Sequence, residues 1–160
     1  MKHKILLFAL AFCLLFSSCG ILNEKFNALG FDVTGYNIIE EKDSHGGFHG
    51  DGTYYLILDC SSNPQKARNM VGDWTPLPLS ENLNLVMYGG EKDGTYYEFN
   101  FAEKSHFPVI ENGVYKFYDR HSEVIDPFDD SLILNRYSYN FSLAMYDFDN
   151  NIFYYFELDT

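Results

Sequence analysis

Residues 137–159 restrict the possible folds more than any other stretch. Tyr137, Tyr139, Phe141, Leu143 and Met145 alternate with Ser138, Asn140, Ser142 and Ala144. After Asp149-Asn150-Asn151, residues Ile152, Tyr154, Phe156 and Leu158 take up the same period of two. That period places side chains on one face of a strand and does not match a helix. Asp and Asn supply the tight reversal between the runs. The stretch predicts a β-hairpin.

The remaining elements are arranged around that hairpin. "TYYLILDC", 53–60, is apolar on both faces and predicts a central strand. Residues 31–41, 94–101 and 113–119 predict further strands. Asn63 before Pro64 reads as a helix N-terminus, with Gly72 as its end. Ser80-Glu81-Asn82-Leu83 starts a second helix, with Leu83, Val86 and Met87 as its apolar face and Gly89-Gly90 as its stop. "TPLPL", 75–79, reads as an extended connector. The expected fold is α+β: an antiparallel sheet of about five strands, with two helices inserted between the early and late strands. "DGTYY" occurs at 51–55 and 93–97, which Asp-Gly turn chemistry explains without a duplication.

The first residues carry an address. Lys2 and Lys4 precede an uncharged apolar run, Ile5 to Phe16. The run is shorter than the ~20 residues that span a bilayer, and it reads as a secretory signal. Phe16-Ser17-Ser18-Cys19 resembles the lipobox of bacterial lipoproteins, although that family usually has Leu where Phe16 stands. The resemblance implies that Ser18 is the last residue removed and that Cys19 carries the lipid. The organisation expected is a signal over 1–18, a lipidated cysteine and tether over 19–30, and one domain over 31–160. The place expected is the outer side of the cell membrane. Cys13 leaves with the signal and Cys19 takes lipid, so Cys60 has no partner for an intrachain disulfide.

Loss of Lys2 and Lys4 moves the net charge from −12 to −14. Such a surface repels nucleic acid and anionic headgroups and suits cations or basic partners.

Four features are candidate sites. "HGGFHGDG", 45–52, offers His45, His49 and Asp51, with His121 or His106 as a further ligand for a divalent metal. Its glycines forbid a helix, so the four-residue spacing of the histidines does not align them, and a long hairpin loop explains the stretch equally well. The acidic run from Asp119 to Asp130 could hold calcium but lacks EF-hand spacing. Asp59-Cys60-Ser61 resembles the opening of the cysteine motif of a class of cell-wall peptidases, but the rest of that motif is absent, and Cys60 reads as a buried strand residue. The tyrosine surplus offers an adaptable binding surface or a half-covered sheet. The loop at 45–52 and the late Tyr-rich hairpin together resemble small proteins of Gram-positive bacteria, a resemblance that implies no activity.

No complete catalytic constellation is legible. The expectation is a non-enzymatic, lipid-anchored envelope protein that needs no cofactor and binds an unknown protein or small ligand. A metal-binding protein or metal-dependent enzyme using the 45–51 loop is the first alternative. An inhibitor or immunity-type protein covering a basic partner is the second.

Overall fold

The computed structural model describes Phe26 and residues 28–46, 50–121 and 125–160. It contains strands β1 (Asn37–Asp43), β2 (Gly52–Asp59), β3 (Thr75–Pro76), β4 (Gly90–Lys92), β5 (Thr95–Tyr97), β6 (Gly113–Asp119), β7 (Asn140–Asp147) and β8 (Ile152–Asp159). Helices α1 (Pro64–Met70), α2 (Glu81–Tyr88) and α3 (Phe101–Lys104) lie between β2 and β6 in the chain, with β3, β4 and β5 among them. The main sheet has the order β1-β2-β8-β7-β6-β3, and β4-β5 form a separate ribbon. Every pairing is antiparallel.

The α+β class agrees with the sequence reading, and the strand count does not. Among the described residues, the main sheet has six strands rather than five, a second sheet has two, and a third helix is present between β2 and β6. The added β3 and β4 are short, β3 being two residues inside the expected connector. The strand expected over 94–101 is confined to β5, which pairs with β4 across Asp93 and Gly94 at φ 51° and 76°, outside the main sheet, and Phe101 begins α3 instead. Runs of two or three residues carry no period to read. The second "DGTYY" therefore builds a two-residue turn, whereas the first leads into the central strand β2.

Both cap predictions are met. Asn63 accepts from Lys66 N–H and Ser80 from Leu83 N–H, each through its side chain. Helix α2 ends at Gly89, φ 74°, whereas α1 ends at Val71, one residue before the expected glycine.

The period of two separates two cores. On one face of the sheet, Tyr55, Ile57, Phe117, Phe141, Leu143, Met145 and Phe156 pack under α2 and Phe107. On the other, Tyr54, Leu56, Leu58, Tyr146, Phe153 and Tyr155 pack under α1, Trp74 and the segment before β1. Phe31 stacks on Phe153 with ring centres 4.0 Å apart. Full burial of each large apolar side chain contributes ~1.5–3 kcal/mol, so both layers stabilise the central hairpin.

The 31–41 strand begins later than expected, at Asn37. Asp32 instead holds Thr34 N–H at 2.9 Å, and Gly35 turns at φ 88°. Phe26 and Leu29 are fully buried, so the folded body reaches into the stretch assigned to the tether.

Candidate functional site

At one end of the second face, the strand register lines up polar groups in place of aromatic ones. Tyr54 stands opposite Asp43 on one side and Glu157 on the other. Glu157 also faces Ser142, and Asp159 faces Asn140 and Gly52. Directly opposed residues share a face, so β1, β2, β8 and β7 deliver these side chains to one patch.

Arg120 completes the patch. Its N–H donates to Asn140 C=O at 2.6 Å, which continues the β6-β7 ladder by one residue. Its Nη2 lies 2.6 Å from Asp159 Oδ1 and 3.6 Å from Glu157 Oε1, and its Nη1 donates to Ser142 Oγ. Ser142 Oγ is 2.9 Å from Tyr155 Oη, which donates to Glu157 Oε2 at 2.7 Å. Proton balance then has Ser142 donating to Tyr155. Burial first, then the Glu157 charge, pushes the Tyr155 phenol well above its ordinary range, so it remains a donor.

His45 approaches from the β1-β2 loop. Asp43 Oδ1 accepts from His45 N–H at 2.9 Å and lies 2.6 Å from Nδ1. Nε2 lies 3.2 Å from Asp159 Oδ2, without hydrogen-bond alignment. The base of the loop is fixed by Ser44 N–H to Thr53 C=O and Thr53 N–H to Ser44 Oγ, both 2.8 Å. A Cβ at Gly52 would come within 2.6 Å of His45 Cα, so only glycine allows this approach.

His45, Glu157 and Asp159 each present one ligand atom, all within 4.8 Å of one another. One imidazole nitrogen and two carboxylate oxygens suit a divalent cation. The single guanidinium of Arg120 pairs with both carboxylates and balances one of their two charges, so a metal would compete with it.

The structure thus places one expected ligand, His45, in the cluster, and Asp51, His121 and His106 elsewhere. His49 lies outside the described residues. Asp51 is exposed, and its C=O accepts from Gly46 N–H. His121 Nε2 is 3.1 Å from Ser138 Oγ, and His106 Nδ1 is 3.0 Å from Glu40. Glu157 and Asp159 were missed because they stand on another strand, far away in sequence. Their signal was present: two carboxylates at period two in the apolar run "IFYYFELD".

The other candidates have structural tasks. Burial first, then Asp59, pushes the Cys60 thiol up to about 12, which withholds the thiolate a nucleophile needs. In the acidic run, buried Asp119 pairs with Arg136, Asp130 accepts from Ser80, and Asp126 and Asp129 close turns on Phe128 and Ser131.

No protein-family model, curated protein or solved structure matches this chain.

Proposed function

We propose that this chain is a lipid-anchored envelope protein whose domain binds a partner outside the cytoplasmic membrane. The observation that carries the proposal is the short distance between Cys19 and the buried Phe26. Seven residues reach at most about 25 Å at ~3.3–3.6 Å each. A lipid on Cys19 therefore holds the folded body against the membrane surface. Lipid burial at ~0.8 kcal/mol per CH₂ makes such an anchor firm when several chains share one residue. Recognition rather than catalysis is supported by the state of the reactive groups: Cys60 is buried and protonated, and Arg120 and Tyr155 are engaged in ion pairs and hydrogen bonds. The test is fractionation of cells expressing the wild type or Cys19→Ser. The wild type is expected in the membrane fraction with incorporated palmitate, and the variant unlabelled. Equal labelling of both removes the anchor from the proposal.

A second reading is favoured by the convergence of His45 with Glu157 and Asp159: a divalent-metal site in the patch. Stoichiometric zinc on the purified chain, lost in His45→Ala, supports it. A melting point that zinc leaves unchanged rejects it.

A further inference from the structure

The outer edge of β6 is covered only in part. Phe148 N–H donates to Asn112 C=O and Arg120 N–H to Asn140 C=O, so the even-numbered residues of β6 bond towards β7. In an antiparallel ladder the alternate residues then point the other way. Gly113 C=O accepts from Leu77 N–H, Tyr115 pairs with Thr75, and Asp119 N–H donates to Pro127 C=O. Phe117 lies between them, at the point where the chain before β3 turns away. It is 4% exposed, and among the described residues its N–H and C=O have no partner. Buried backbone groups in this condition are rare and costly.

A cavity of about 330 Å³ lies there, lined by Trp74, Tyr115, Lys116, Phe117, Phe128 and Asp130, among others. Trp74 is 5% exposed, and its indole N–H also has no partner among the described residues. Two independent buried donors and one acceptor therefore belong to the walls of one cavity.

We propose that this cavity receives an extended segment of a partner polypeptide, one residue of which pairs with Phe117. The proposal rests on the reading of the chain as a binding protein and names the chemistry of its ligand. Phe117 N–H and C=O require a C=O and an N–H spaced as in a single amino-acid residue with both its peptide bonds, which is strand addition. Trp74, Tyr115 and Phe128 supply apolar walls for that residue. Charge selects the flanks: Lys116 lies 3.5 Å from Asp73, which leaves Asp130 as surplus negative charge on a chain of net charge −12. The segment is therefore basic rather than acidic.

The experiment is an amide-resolved NMR titration of the full chain in detergent micelles with Ac-Lys-Val-Lys-NH2. The Phe117 amide and the Trp74 indole signal are expected to shift together and to saturate. N-methylation of the central valine should weaken binding about tenfold, the effect of one lost hydrogen bond. Ac-Glu-Val-Glu-NH2 should bind more weakly than the lysine peptide. The proposal fails if neither signal moves at millimolar peptide, or if the N-methylated peptide binds as tightly. It also fails if N-acetyl-valine methylamide alone binds as tightly as the tripeptide, because the site would then take small amides. The titration reads the cavity and the Cys19→Ser fractionation reads the anchor, so either can fail without the other.

Discussion

Tyr155 links the apolar layer of the second face to its polar patch. Its ring packs on Phe26 at 4.6 Å between ring centres, and its hydroxyl bridges Ser142 and Glu157. Tyr155→Phe keeps the ring and removes the bridge, so urea unfolding should show a loss of ~1–3 kcal/mol. Arg120→Gln leaves Glu157 and Asp159 close together without their cation, and partial exposure limits the loss to about 1–3 kcal/mol. Cys60 should resist alkylation in the native chain at pH 8 and react after denaturation, as read by peptide mass mapping. Asp32 gives a pH dependence. A hydrogen bond from Lys66, then contacts with Thr34, lower its carboxyl from 3.8 to about 2. The folded pKa is depressed, so the stabilisation is present above pH 3.8 and is lost as pH falls towards 2. The difference in urea midpoint between wild type and Asp32→Asn should shrink across that window.

Elements were legible in the sequence to the extent that they carried a period or a cap. The late hairpin, β2, β6 and both capped helices follow from local rules, because alternation and N-cap chemistry act within a few residues. The polar patch was hardly legible. Alternation assigned Ser142 and Ala144 to a face opposite Phe141, but both faces are buried, so the period separates two cores rather than inside from outside. His45 was visible as a loop histidine, while its partners depend on the β2-β8 register, which local pattern does not report. Edge strand β1 illustrates a further element-scale device: Glu40, Glu41, Lys42 and Asp43 place charge along an open edge and oppose pairing with other chains. Close approach of elements gives another test. A Cβ at Gly113 would sit 2.2 Å from the Tyr146 carbonyl oxygen, at the Gly113–Asp147 end of the β6-β7 pairing. Gly113→Ala should therefore cost about 3 kcal/mol or more, since backbone rather than a flexible side chain must move. A large drop in melting temperature checks it.

For the whole molecule, the sheet is covered on both faces, with a polar patch at one end of the second face and charge along the β1 edge. On the proposed anchor, a lipid on Cys19 would keep the domain close to the membrane while anionic headgroups repel its acidic surface. Mass spectrometry of the chain extracted from membranes tests this arrangement at its root. If the anchor is real, the first residue is Cys19, residues 1–18 are gone, and the terminal peptide carries diacylglycerol mass. An unmodified Cys19, or a chain beginning elsewhere, would contradict it.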